Sequence, residues 1–110
     1  MKLEVVDNVP EEDIAVGAAC DTLAGKGCDI IFGISFGYLT AMEDKATQYK
    51  DIVFSHATGY LSNDTNYNNY FGRIYQARYL SGIAAGLKSL TMTESATVNP
   101  NSIGYVTAWG

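Results

Sequence analysis

The sequence predicts an α/β fold in which a doubly wound, mainly parallel sheet is flanked by helices. Short apolar runs alternate along the chain with longer segments whose apolar residues recur at helical spacing. One run, CDIIFG at residues 28–33, has no polar alternation beyond Asp29, which is typical of a strand covered on both faces. With 110 residues, the chain has room for one small domain.

The first predicted helix has recognisable signals at both ends. It follows a short apolar run at residues 3–6, which is predicted as a strand, and it begins at Pro10 because proline suits the first helical position. Acidic residues follow in the first turn, where they complement the positive end of the helix dipole. Gly25 and Gly27 end the helix, because glycine adopts the left-handed conformation that a helix C-terminus needs.

The remaining elements continue the alternation of strand and helix. Loop 35–37 leads from the strand at 28–33 into a second helix, and residues 56–69 are predicted to form a polar loop. A polar linker is expected at residues 91–101. The other predicted elements are a helix carrying Leu39, Met42 and Ala46, a strand at 51–54, a helix at 73–90 and a strand at 103–107.

Composition and charge exclude several classes of function. Seven Lys and Arg residues face twelve Asp and Glu residues, so the net charge is −5, and the basic residues are scattered along the chain. The sequence therefore lacks the basic stripe that binds nucleic-acid backbones, and no nucleic acid is expected as a partner. The longest apolar runs fall far short of the roughly 20 residues needed to span a membrane.

Both ends of the chain are abrupt, with strand-like sequence close to each terminus. No charged segment followed by an apolar one opens the chain, as a signal peptide would. We therefore expect a fragment of a longer protein, with any leader sequence outside it. A fragment can expose sheet edges that the longer protein would cover, so self-association of the chain is an expected consequence.

The cysteines and the single histidine do not form a metal-binding pattern. Cys20 and Cys28 are interpreted as small buried hydrophobes, with a disulfide as the open alternative if their Cα atoms lie within about 7 Å. His56 has neither a second histidine nor a further cysteine pair to complete a zinc site, so no metal and no cofactor is expected. A structural histidine bonded to backbone is favoured over a base or a metal ligand.

Two loops form the candidate binding site. Ligands of open α/β sheets bind beyond the carboxyl ends of the strands, and loops 35–38 and 56–60 follow the predicted strands at 28–33 and 51–54. Each loop combines an aromatic residue, a hydroxyl and a glycine, which suits a flat polar ligand. Two structural alternatives stay open: Phe36 as a core plug and Ser35 as a helix cap. The predicted ligand-binding residues are Ser35, Phe36, Gly37, Tyr38, His56, Thr58 and Gly59.

The sequence offers no catalytic constellation. It contains no G-x-S-x-G elbow, no P-loop and no G-x-G-x-x-G fingerprint. The sequence therefore gives no residue pattern that favours an enzyme, and an enzyme of the α/β class stays open as a hypothesis.

Four stretches of the sequence resemble the basic membrane protein family. They are GCDIIFGISFGYLTAMEDKA, YKDIVFSHATGY, NNYFGRIYQARYLSGIAAG and IGYVTA, and the segment YFGRIYQARYLSGIAAG within the third is the most specific. Members of this family are lipoprotein or periplasmic receptors of ABC importers, including purine nucleoside receptors. The resemblance covers nearly the whole chain.

The resemblance implies a type I periplasmic-binding-protein fold, in which two α/β lobes close on a ligand. Residues 1–110 are then expected to be a fragment of the N-terminal lobe, without its first strand–helix unit and without the second lobe. A nucleoside-like small molecule is the implied ligand, and an ABC permease in the membrane is the implied partner. The implied location is extracytoplasmic, as a cell-surface lipoprotein or in the periplasm. A ligand-sensing regulatory or signalling domain of the same fold is the alternative.

The resemblance also assigns roles to individual residues. Ser35, Phe36 and Tyr38 match the ligand-facing loop of the family. Thr58 stands where nucleoside-binding members often have an Asp that grips ribose hydroxyls, and a neutral Thr cannot supply that charged acceptor. Gln76 stands where other members often have Glu and is interpreted as structural.

Overall fold

The computed structural model describes residues 2–92 and 102–107. The chain divides into two compact units, Met1–Phe71 and Gly72–Gly110. The first unit contains helices α1 (Asp13–Gly25) and α2 (Leu39–Gln48) and strands β1 (Ile30–Gly33), β2 (Val53–Ala57) and β3 (Tyr67–Tyr70), with a 3₁₀ turn at Phe36–Tyr38. The second unit contains helix α3 (Ile74–Leu90), close to the helix predicted at 73–90.

The sheet of the first unit is parallel throughout, in the order β1-β2-β3. Gly33 at the end of β1 lies opposite His56, and Ala57 at the end of β2 lies opposite Tyr70. All three strands therefore end at one edge of the sheet. The predicted α/β class, with a parallel sheet and flanking helices, is confirmed.

Helix α1 ends as predicted and begins later than predicted. Gly27 has a φ of 78°, its N–H donates to the Ala24 carbonyl, and the Cys28 N–H donates to the Leu23 carbonyl. This pair of bonds is the Schellman motif, which satisfies the last carbonyls of a helix. The start at Pro10 is wrong, because Glu12 still has extended backbone with a φ of −124° and the helix begins after it.

The core of the first unit is formed by buried side chains of both helices and the sheet. Alternate residues of β1 point to opposite faces, so Ile31 is buried whereas Ile30 and Phe32 are exposed. The coverage of both faces that the apolar run at 28–33 indicated is therefore not found for β1. The buried cluster consists of Val16, Cys20, Ile31, Ala41, Met42, Ala46, Phe54 and Tyr67.

The cysteines behave as the favoured interpretation expected. Both are free thiols; Cys20 is buried in the core, and Cys28 packs against the core with partial exposure. Burial raises the pKa of the Cys20 thiol, which keeps this side chain neutral and inert.

Three sequence-based predictions about strands are wrong. Residues 3–6 and 103–107 form no strand, because among the described residues no neighbouring strand pairs with either run. Conversely, Tyr67–Tyr70 forms β3, although residues 67–69 were included in the predicted polar loop. The linker predicted at 91–101 lies mostly outside the described residues.

Tyr67 attaches β3 to the core, and its ionisation is expected to lower the stability of the fold at alkaline pH. Its side chain is buried, its hydroxyl donates to the Leu39 carbonyl at 3.0 Å, and burial, aided by the charge of Glu43, raises its pKa from 10.0 to about 12. A raised pKa means that the folded state favours the protonated phenol. Its contribution to stability is therefore present below pH 10 and is lost as the pH rises from 10 towards 12.

We expect Tyr67→Phe to remove this pH dependence. Urea unfolding of the full-length protein at several pH values should show that the unchanged protein loses roughly 2 kcal/mol more than the variant over that interval. Parallel pH profiles for the two proteins would contradict the prediction.

Candidate functional site

The candidate site lies at the sheet edge where the three parallel strands end. Loop 35–38 follows β1 and residues 58–60 follow β2, and the register between these strands brings both segments to the same edge. This is the position at which open α/β sheets bind ligands. The structure therefore brings the two sequence-predicted loops together.

His56, in β2, connects the two loops through a buried hydrogen bond to loop 35–38. It is 0% exposed, and its Nε2 lies 2.7 Å from the carbonyl oxygen of Ser35. Because a carbonyl oxygen only accepts, Nε2 must carry the hydrogen that it donates. His56 therefore holds the start of loop 35–38 in place, which is the backbone-bonded role favoured from the sequence, and it presents no surface to solvent.

Gly59 covers the other nitrogen of His56. Among the described residues, Nδ1 of His56 has no hydrogen-bond partner. A Cβ at position 59 would stand 2.1 Å from that nitrogen and 2.6 Å from Cδ1 of Leu39. Only glycine allows the backbone to approach so closely. Its role towards a ligand stays a prediction.

Thr58 has a strained backbone at the end of β2. Its φ is 69°, in the left-handed region that a β-branched residue rarely adopts, and its N–H donates to the Tyr70 carbonyl at 2.9 Å. Such strain costs on the order of 1–3 kcal/mol and often accompanies functional positions. The Thr58 side chain is exposed at this edge.

The aromatic rings of Phe36 and Tyr60 lie close to each other at this edge of the sheet. The centroids of Phe36 and Tyr60 are 6.3 Å apart with an interplanar angle of 46°, and the two residues are 39% and 71% exposed. This exposure rules out the interpretation of Phe36 as a buried core plug. The rings offer aromatic faces against which a flat ligand could stack. Tyr60 belongs to the predicted second loop but was not among the predicted contacts.

Ser35 and Tyr38 are both held by the segment that precedes α1. The Ser35 hydroxyl donates to Oε1 of Glu11, and the Tyr38 hydroxyl donates to the Val9 carbonyl at 2.7 Å. Ser35 precedes the 3₁₀ turn, but its side chain makes no capping bond there. The cap alternative is therefore wrong, and Ser35 remains at the surface of the candidate site with partial exposure.

Glu11 is the site residue that sequence reasoning missed. It was counted as an acid in the first turn of a helix, yet it precedes α1 and lies over loop 35–38. A Cβ at Gly37 would stand 2.7 Å from Cβ of Glu11 and 2.8 Å from its Oε2. Glu11 and Ser35 are 24 positions apart, so no local pattern could have revealed the contact.

The site has an acidic character and an open shape. Within residues 2–92 and 102–107, ion pairs engage Glu4 and Asp21, whereas Glu11 has no cationic partner. A groove of about 760 Å³ lies between residues 2–8 and β1, and its lining includes Tyr38 but neither Ser35 nor Phe36. The candidate site is therefore an exposed edge and not an enclosed cavity.

Structural features of other functional classes are not found in the described part of the chain. No group of three or more His, Cys, Asp or Glu side chains there could hold a metal ion. No described helix has both the length and the apolarity required to cross a membrane.

Comparison with known proteins identifies relatives of this chain. Residues 1–104 match the model of the Bmp family, described as ABC transporter substrate-binding protein PnrA-like. A protein of Haloferax volcanii, named as an ABC transporter glucose-binding protein, is 47% identical over 81 residues, which cover 74% of this chain and 18% of that protein. A purine-binding protein of Brucella abortus is 37% identical over 82 residues, covering 71% of this chain and 23% of that protein.

These relatives are much longer than this chain, which spans about a fifth of their length. The family match nevertheless covers nearly all of the 110 residues. It includes both loops of the candidate site and the segment that carries Glu11. The chain therefore belongs to the Bmp family of ABC transporter substrate-binding proteins.

Proposed function

We propose that this chain is part of the N-terminal lobe of a two-lobed solute receptor that serves an ABC importer outside the cytoplasm. The single observation that carries the proposal is that loops 35–38 and 58–60 lie at one edge of the parallel sheet, with the ring centroids of Phe36 and Tyr60 6.3 Å apart. Because this edge is open, a second lobe would be needed to enclose a ligand. An ABC permease in the membrane is the proposed partner, and the closed form of the receptor would engage it.

The proposed ligand is a small polar organic molecule, and a purine nucleoside is our first choice. A purine base offers a flat face for Phe36, and its ribose offers hydroxyls for Ser35 and Thr58. One relative is named as purine-binding, and the other is named as glucose-binding. A sugar ring shares the hydroxyls but not the flat base, so glucose is the second ligand to test.

Binding would proceed by lobe closure without covalent chemistry. The ligand docks on this lobe, with Phe36 against its ring and with the Ser35 hydroxyl, the Thr58 hydroxyl and the amides of Gly37 and Gly59 at its polar edges. The second lobe then closes and excludes water. The family and both relatives are named as binding proteins, and turnover of the ligand forms no part of the proposal.

Native mass spectrometry of the full-length protein tests the proposal. After gentle purification, we expect a retained ligand with the mass of a purine nucleoside, or tight binding from a panel of nucleosides and glucose. Phe36→Ala should weaken that binding about tenfold or more because the stacking surface is lost.

The matched control for this test is Tyr75→Ala, which removes an exposed aromatic residue of α3. It should leave the affinity unchanged. A full-length protein that binds nothing in the panel would contradict the proposed function. Equal affinities for the Phe36 variant and the unchanged protein would contradict the placement of the site.

A further inference from the structure

We propose that Glu11 is a ligand-contact residue, which selects neutral ligands carrying adjacent hydroxyl groups over their phosphorylated counterparts. The inference rests on the proposed function and adds a residue and a chemical class to it. Its starting point is the position of Glu11 at the candidate site, in contact with both Ser35 and Gly37.

The geometry places an acceptor beside the aromatic pair. Ser35 donates its hydroxyl hydrogen to Oε1 of Glu11, and the same loop continues directly into Phe36, whose ring pairs with Tyr60. A carboxylate offers about four lone-pair positions, and this contact uses one of them. Glu11 thus has acceptor capacity left for hydroxyls of a molecule that stacks on the neighbouring rings.

The backbone of loop 35–38 is shaped to accept the Glu11 side chain. A Cβ at Gly37 would collide with Cβ, Cδ and Oε2 of Glu11, all at 2.7–2.8 Å. The absence of a side chain at position 37 therefore allows the carboxylate to lie against the loop. Ser35 is fixed in turn, because its carbonyl accepts the bond from buried His56.

The charge of Glu11 is uncompensated in the described part of the chain. Neither Lys nor Arg forms an ion pair with it there, unlike Glu4 and Asp21. An unpaired carboxylate attracts hydrogen-bond donors and repels anions. Two adjacent hydroxyls can donate to its two oxygens, whereas a phosphate monoester would bring a second negative charge to the same edge.

Calorimetry on the full-length protein tests the inference with three proteins: the unchanged form, Glu11→Gln and the control Glu12→Gln. Glu12 is the adjacent exposed acid, and within the described residues its carboxylate forms no hydrogen bond and no ion pair with loop 35–38. The probes are adenosine, guanosine and glucose, each compared with its phosphate monoester. Glutamine keeps the size of Glu11 and an acceptor oxygen for Ser35 but removes the charge.

We expect Glu11→Gln to weaken binding of the preferred neutral probe by about 10- to 100-fold, the usual effect of losing a charged hydrogen-bond partner. The preference for the neutral probe over its phosphate ester should shrink in the same variant. Glu12→Gln should change neither quantity by more than about twofold. Circular dichroism and thermal unfolding of Glu11→Gln should match the unchanged protein.

The outcomes separate this inference from the proposed function. If the unchanged protein binds a probe and Glu11→Gln binds it equally well or better, the inference is overturned and the proposed function stands. A better-binding variant would mean that Glu11 only occludes the site. If the unchanged protein binds none of the probes, both the proposed function and the inference are overturned.

Discussion

Replacing Asn66 with alanine is expected to lower the free energy of unfolding by about 2–4 kcal/mol. The buried Asn66 amide lies within hydrogen-bond distance of three backbone carbonyls, those of Ala46, Tyr49 and Ile52, at 2.8–3.0 Å. These carbonyls belong to the end of α2 and the turn that follows it. Alanine would remove the amide donor from this partly buried region. The Tyr49 carbonyl would keep its bond from the Ile52 N–H, at 3.1 Å, whereas the carbonyls of Ala46 and Ile52 would lose the Asn66 amide.

The control for Asn66 is a neighbouring asparagine with a single bond. Among the described residues, the Asn69 side chain donates to the Leu61 carbonyl alone, at 2.9 Å, so Asn69→Ala should cost about 1 kcal/mol. Both variants can be compared by urea unfolding of the full-length protein. Equal losses for the two variants would show that the Asn66 amide does not stabilise the end of α2.

Gly59→Ala is expected to affect both stability and binding. The new methyl group would lie 2.1 Å from Nδ1 of His56, and displacement of this buried ring would disturb its hydrogen bond to the Ser35 carbonyl. Overpacking of this kind costs about 1–3 kcal/mol. Because loop 35–38 would shift with the ring, we also expect the affinity for the ligand to fall at least tenfold, since small displacements of positioning groups are costly.

A second glycine provides the matched control for this substitution. Gly25 is the last residue of α1, and a Cβ there meets no atom within 4 Å. Gly25→Ala should therefore be neutral or slightly stabilising, by up to about 1 kcal/mol, and should leave binding unchanged. Unfolding curves measure the stability of both variants, and calorimetry measures their ligand affinity. A Gly59 variant that behaves like the Gly25 variant would refute the packing argument.

The sequence predicted those elements that are encoded by local signals. Glycine at position 27 marks the end of α1, and the apolar runs that contain Ile31 and Phe54 mark β1 and β2. Helical spacing marks α2 and α3. In each case the residues that determine the element lie within a few positions of one another, so the element can be predicted from a local sequence pattern.

β3 could not be predicted in this way, because its sequence is YNNY and its strand character comes from neighbours in space. Ser55 of β2 donates to Asn68 at 2.8 Å, and Tyr67 is buried in the core. Before the strand, the Asn63 side-chain oxygen accepts the N–H groups of Thr65, Asn66 and Tyr67, at 2.8–3.0 Å. Asparagines predict loops statistically, and here they shape the entry to a strand.

The candidate site could be predicted only in part, because local sequence locates its loops whereas tertiary packing determines several of its contacts. Loops that follow buried strands can be located from sequence, and this rule identified Ser35, Phe36 and Thr58. The burial of His56 and the commitment of the Tyr38 hydroxyl to Val9 depend on tertiary packing. The contact of Glu11 with Ser35 depends on where the chain before α1 lies, which no periodicity describes.

The double attachment of Ser35 has a kinetic consequence. Its carbonyl is held by the His56 imidazole and its hydroxyl by the Glu11 carboxylate, so much of the conformational entropy of loop 35–38 is lost during folding. Under the proposed function, a solute would then have little left to order on this surface, and its association rate should depend mainly on diffusion. Substitutions in this loop should therefore change mainly the dissociation rate, and with it the residence time of the bound ligand.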